Sequence, residues 1–258
     1  MSLSVCVDAV FGGMDTVEAM RRVSAAGFGA FEFWSWWDKD VEAIARERER
    51  LGLEVALVCT RFTSLVDPGQ HGSWLDGLRD SLPVAQRLGC RRLVTQSGAD
   101  TGQPRAVQRD HMVACLRRAA PMLEGAGVDL LLEPLNGRHD HPGVFLESSG
   151  EAAEAVEAVG SPRVRMLFDL YHQQISEGDL LDRLGACWPL VGHFHCAGVP
   201  GRHELDGGEL DYPGLFAAIR GLGYRGRFGL EYFPRRPAGE GLAWALGACR
   251  GLAPASLA

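Results

Sequence analysis

Residues 129–143, DLLLEPLNGRHDHPG, decide how the rest of the chain is read. Leu130, Leu131 and Leu132 run into Glu133, and the chain then meets Pro134 and a polar loop. An uninterrupted apolar run this short, bounded by turn formers, suits a strand buried on both faces in a parallel sheet. Pro134 has no N–H to give a ladder bond, so the strand ends near Glu133. The carboxylate then sits at the C-terminal tip of a parallel strand, where α/β folds place their chemistry. Such a buried carboxylate is expensive unless a paired arginine or a metal ion compensates its charge.

The same alternation extends in both directions. Strands are expected at 4–7, 30–34, Glu54–Cys59 and Arg92–Gln96 before Asp129–Glu133, and at 164–170, Val191–Cys196 and 227–232 after it. Helices are expected at 16–26, capped by Asp15 and ended by Gly27, at 38–51, within 73–88, and at 104–124. Further helices follow at Ser149–Val159, 179–184, from the Asp211-Tyr212-Pro213 start to Gly221, and at 239–249. Pro83 is expected to kink the third of them or to mark its true start. Eight strand–helix units of about 32 residues each make a single (β/α)8 TIM barrel over residues 1–258. The rival doubly wound sheet calls for a GxGxxG loop after its first strand, and Gly12-Gly13 lacks that spacing.

The totals exclude several classes. A chain of 258 residues, 46% of them hydrophobic, buries a large core. A net charge of -7 repels a nucleic-acid backbone, and no apolar run approaches the length of a membrane span. Seven cysteines without a CxxC pair form neither a disulfide framework nor a zinc finger, and they suit a reducing cytoplasm. MSLSVCVDAVFGG lacks a basic segment ahead of an apolar one, so it does not read as a signal peptide.

The last four strands each finish on a residue that binds hard or borderline divalent ions: Glu133, Asp169, His195 and Glu231. The gaps are 36, 26 and 36 residues, so each side chain comes from a separate, successive unit. Neighbouring strand tips in a barrel are close, so the four can converge on one ion. Three carboxylates and one imidazole suit Mn²⁺, Mg²⁺ or Co²⁺, with Zn²⁺ tolerated.

These stretches carry a resemblance. LLLEPLN with HPG, FDLYH, GHFH, GR with GGELDYPGLF, and GYRGRFGLEY resemble the hydroxypyruvate isomerase family, a group of xylose-isomerase-like barrels related to the ketose 3-epimerases. The likeness covers most of residues 15–235 and is most specific after Leu130. It implies Glu133, Asp169, His195 and Glu231 as metal ligands, Glu133 and Glu231 as the acid–base pair, and His172 and Arg202 as the substrate-orienting pair. Two features depart from the family's usual pattern. Its members often carry glutamine where His195 stands, histidine being more typical of the epimerases, and the loop TRFTSLVDPGQHGSW is unlike theirs.

The chemistry of the residues agrees with that implication. Isomerising an α-hydroxy carbonyl moves a proton from one carbon to its neighbour through an enediolate, whose charge a chelated ion spreads. One carboxylate then serves as base and a second as acid. Arg202 lies in a Gly-rich loop from which a guanidinium can hold a carboxylate by two bonds. Glu32, Trp34, Trp36, Trp37 and Phe62 either wall the pocket or belong to the core. The expected activity is a metal-dependent isomerase of a small hydroxy-carbonyl compound. A ketose 3-epimerase, a lyase or non-catalytic homologue, and a phosphodiesterase are the alternatives. The partner expected is a small molecule, with no nucleic acid and no membrane, and association into a homo-oligomer is left open.

Overall fold

Strands with apolar side chains on both faces must be covered from both sides, and here a ring of helices covers the outside while side chains fill the inside. A computed structural model describes residues 2–250. Position 1 and positions 251–258 of the expected single domain lie outside the described residues. The strands are β1 (Ser2–Cys6), β2 (Ala30–Phe33), β3 (Glu54–Cys59), β4 (Arg92–Gln96), β5 (Asp129–Glu133), β6 (Val164–Asp169), β7 (Val191–Cys196) and β8 (Arg227–Leu230). They close in chain order into an eight-stranded barrel, each strand parallel to its neighbours, with β8 pairing back on β1.

The helices are α1 (Val7–Val10), α2 (Thr16–Ala25), α3 (Val41–Leu51), α4 (His71–Leu88), α5 (Arg105–Ala126), α6 (Ser149–Val159), α7 (Leu170–Ser176), α8 (Leu180–Cys187), α9 (Tyr212–Gly221) and α10 (Ala238–Arg250). Their starts are chemical: Asp15, Asp40, Ser148 and Asp211 each accept a bond from a first-turn backbone N–H. Among the described residues, no helix is long and apolar enough to cross a membrane.

Two cores separate by strand alternation. One lies between strands and helices and takes residues such as Val5, Phe31, Leu130, Met166 and Phe228. The other is a small plug of Leu57, Cys59, Val94, Leu131 and Leu167, with Trp34 packed on it. Leu57, Cys59 and Val94 of that plug, with Trp34, line a cavity inside the barrel.

Several boundaries differ from the sequence reading. The first strand begins at Ser2, and the apolar run that follows it turns into the short helix α1. α4 runs unbroken from His71 through Pro83, which is therefore not its start. β6 stops at Asp169 because that side chain caps α7, a helix the sequence reading did not separate. β8 stops at Leu230, leaving Glu231 just beyond the strand.

Candidate metal centre

Glu133 is the last residue of β5, Asp169 the last of β6, and His195 the penultimate residue of β7. Glu231 follows β8, and its backbone N–H still donates to Cys196 O at 3.0 Å. One ligand atom from each of the four side chains lies within 4.8 Å of the others. All four are buried, the most exposed at 5%.

The cluster is anionic and incompletely paired. Asp169 Oδ1 accepts from the N–H groups of Tyr171 (2.8 Å) and His172 (3.3 Å), which leaves Oδ2 aimed into the cluster. Glu133 Oε1, Asp169 Oδ2 and His195 Nδ1 are all buried without a hydrogen-bond partner. His195 Nδ1 stands 3.1 Å from Glu231 Oε2 and 3.7 Å from Glu133 Oε1. Orphaned buried polar atoms are rare in folded proteins, and three that converge from three strands fit a divalent cation. Oxygen-rich donors with one imidazole are the set that hard and borderline divalent ions take.

The electrostatics point the same way. Burial pushes the Asp169 carboxyl up to about 7, against the pull of Arg202 and His195. Burial would raise Glu231 too, but Arg202 and His195 outweigh it and hold that carboxyl well below the usual range. Glu231 is the anchored acid: Oε1 accepts from the Trp34 indole N–H and Oε2 from Arg202 at 2.5 Å. Burial would lower His195, yet Glu231 and the other facing carboxylates raise it well above its ordinary value.

Glu133, His195 and Glu231 open onto a cavity of about 650 Å³, and Asp169 lies behind them out of its lining. Its wall from β5 to β8 carries the polar side chains Asp140, His141, His172 and Arg202 between the apolar Leu135, Val144 and Phe233. Its wall from β2 to β4 is largely apolar, built from Trp34, Leu57, Cys59, Phe62 and Val94, with Glu32 and the Gln96 amide as its polar members. Trp34 and Phe62 therefore line the cavity. Trp36 and Trp37 do not: they pack edge to face behind it, under the Arg61 guanidinium, and Trp36 donates to Ser81.

His172 is fully buried. Its Nδ1 accepts from Asn136 Nδ2 at 2.6 Å, so the ring carries its proton on Nε2. Nε2 lies 3.6 Å from Asp169 Oδ2 and has no hydrogen-bond partner. Burial holds this imidazole well below its ordinary pKa and keeps it neutral. Arg202 is buried as well, with a left-handed φ of 58°, and lies near Glu231, Asp169 (3.8 Å) and Asp140 (4.0 Å). A loop held in that conformation against buried acids is not a solvated surface turn.

The sequence reading passed over Asn136, Asp140 and Gln96. Asn136 Nδ2 also donates to Asp140 at 2.7 Å, and Tyr171 OH donates to the same carboxylate at 2.9 Å. The signal for Asn136 was present in LLLEPLN, three residues after Glu133. Gln96 ends β4 in register with Glu133, so the strand-tip rule applied to a neutral side chain finds it.

A family model described as xylose isomerase-like TIM barrel matches residues 20–249. The hydroxypyruvate isomerase of Escherichia coli (strain K12) is 28% identical over 95% of this chain and 98% of its own. The 2-oxo-tetronate isomerase of Cupriavidus necator is 36% identical over 69% of this chain and 68% of its own. Both relatives are isomerases. Among solved structures, an AP endonuclease, family 2, from Brucella melitensis superposes with a TM-score of 0.90 at 34% identity, covering 95% of this chain and 98% of that one.

Proposed function

Because the chain belongs to the xylose isomerase-like TIM-barrel family, we propose that it is a metal-dependent isomerase of a small hydroxy-carbonyl acid, of the hydroxypyruvate or tartronate semialdehyde type. The observation that carries this reading is the convergence of Glu133, Asp169, His195 and Glu231, three of them with orphaned donor atoms, at a cavity that His172 and Arg202 also line. Glu133, Asp169, His195 and Glu231 would hold the ion. When bound, it supplies Lewis acidity that lowers the cost of enediolate charge.

The proton movements belong to the chain. Glu133 has a carboxylate oxygen with no partner, so it takes the proton from the hydroxyl-bearing carbon. The C–H electron pair becomes the C=C bond of the enediolate, and the carbonyl oxygen takes the charge. Glu231, fixed on the other side of His195 by Trp34 and Arg202, handles the proton between the two oxygens. A proton returned to the neighbouring carbon completes the isomerisation, with no net gain or loss of electrons. His172 offers Nε2–H to a substrate oxygen, and Arg202 orients the acid group. The small-molecule partner, a cytoplasmic setting and the metal choice belong to the same proposal; all seven cysteines are free and buried, as a reducing compartment permits.

A ketose 3-epimerase is the second reading. The largely apolar β2–β4 wall and the volume of the cavity favour it, since both leave room for a chain longer than three carbons. The test loads purified protein with Mn²⁺, Mg²⁺ or Co²⁺ and follows hydroxypyruvate, tartronate semialdehyde, 2-oxo-tetronate and a panel of ketoses. Conversion of a keto acid with solvent deuterium at the carbon beside the carbonyl is expected. Turnover of ketoses alone moves the assignment to the epimerase. No conversion of either class overturns both.

A further inference from the structure

The barrel holds a second buried acid that the proton chemistry does not use. Glu32, on β2, is 1% exposed and lies beneath the metal centre. Its Oε2 pairs with His195 Nε2 at 2.9 Å, its Oε1 with His193 Nε2 at 2.8 Å, and the Ser4 hydroxyl also donates to Oε1. A lone carboxylate here would be costly, and three donors satisfy it. Gly229 on β8 makes room for the contact: a Cβ there would come within 2.6 Å of both Glu32 Oε2 and His195 Cδ2.

Glu32, His193 and His195 also have the spacing of an ion site. Their nitrogens and oxygens already meet at hydrogen-bond distance, which leaves no place for an ion needing bonds of about 2 Å to each. The trio is a hydrogen-bonded network. With Nε2 of His195 committed to Glu32, Nδ1 is the nitrogen left to face Glu133 and Glu231.

We propose that Glu32 is a positioning residue for the metal centre: by accepting Nε2–H of His195 it presents Nδ1 to the ion, while His193 and Ser4 hold Glu32 in place. A ligating imidazole commonly gives its other N–H to a carboxylate, which sets the ring's orientation and raises its basicity. The inference rests on the metal-dependent reading above.

Two measurements test it, neither of them activity. In ¹⁵N-histidine-labelled protein loaded with diamagnetic Zn²⁺, long-range ¹H–¹⁵N correlation spectra report which nitrogen of His195 carries its proton. Proton on Nε2 and ion on Nδ1 is expected. The Mn²⁺ dissociation constants of wild type and Glu32→Gln are then compared by calorimetry, with the fold of both checked by circular dichroism. The variant should bind about 10- to 100-fold more weakly, because one amide oxygen cannot accept from both imidazoles. If wild type binds no divalent ion, the metal-dependent reading fails. If it binds tightly but through Nε2, or if a folded Glu32→Gln binds equally well, the role of Glu32 is refuted and the metal centre stands. Should Glu32→Gln not fold, the wild-type spectrum alone decides.

Discussion

Glu133→Gln and Glu231→Gln remove the same charge from the same cluster, yet the ion-free protein should respond to them in opposite ways. Glu231 holds Arg202 at 2.5 Å inside the barrel mouth and also accepts the Trp34 indole N–H. Removing one partner of a buried ion pair costs about 3–5 kcal/mol. Arg202 keeps Asp169 at 3.8 Å and Asp140 at 4.0 Å, which brings the expected loss to about 2–3 kcal/mol. At about 2 °C per kcal/mol for a chain of this size, Tm should fall by roughly 4–6 °C. Glu133 Oε1 makes no hydrogen bond and has only the His195 imidazole at 3.7 Å to lose, and neutralising it removes repulsion from Asp169 and Glu231. Its glutamine variant should melt at or above the wild-type temperature. Calorimetric melts at neutral pH in excess EDTA decide the matter. Equal losses in the two variants, or a larger loss for Glu133→Gln, would refute the claim that Glu231 is the anchored acid and Glu133 the free one.

Both glutamine variants should lose at least roughly 10²-fold in kcat, the low end for a general acid–base residue, and near-normal turnover in either would end the two-glutamate mechanism. EDTA should abolish activity while the far-UV circular dichroism is retained, because the barrel closes on apolar plugs; a collapse of the spectrum would make the ion structural. Ion binding should depend on pH with a definite sign. Asp169, raised to about 7, and His195, raised well above its ordinary value, both carry protons at pH 6 that ligation must expel. Affinity should therefore climb with pH through neutrality, with more than one proton released per ion at about pH 6. Calorimetry in buffers of different ionisation enthalpy measures that number, and an enthalpy independent of buffer would contradict it. Arg202→Lys should weaken keto-acid binding through KM, since an ammonium cannot reproduce the two-bond fork; an unchanged KM would remove Arg202 from substrate recognition.

The barrel was legible because its strands are short apolar runs punctuated by turn formers, and β3, β4, β5 and β7 fall where the pattern places them. The four-residue cluster was legible for a related reason: an ionisable side chain at the end of a buried strand contradicts its surroundings, and three acids and one histidine do so at the tips of four successive strands. What the pattern hid is tertiary. α7 begins inside what reads as a continuation of β6, because an Asp169 oxygen caps it and Leu170 and Tyr171 are as apolar as strand residues. Arg202 sits in a loop whose composition reads as solvent-exposed, and only its approach to Glu231, a contact across 29 residues, buries it. Trp36 and Trp37 look like Trp34 in one dimension, but the turn after β2 sends them behind the wall. Glu32 stands out in AFEF for the reason Glu133 does in DLLLE, yet nothing local tells that its partners are two histidines some 160 residues away.

Asp169 divides its two oxygens between two tasks, and that division reaches past catalysis. Oδ1 starts α7 by taking the Tyr171 and His172 N–H groups, and Oδ2 turns to the metal centre. The first turn of α7 is thus tied to whatever Oδ2 binds, and its local opening equilibrium becomes a gauge of occupancy. His172, which lines the cavity, is one of the residues that this cap secures. Hydrogen exchange at the Tyr171 and His172 amides should slow when an ion is added, while amides in the outer helices far from the mouth stay unchanged. Drift at this one aspartate would remove an oxygen from the candidate metal centre and the cap of the helix that carries His172 in one step, so under the proposed reading the two are gained or lost together.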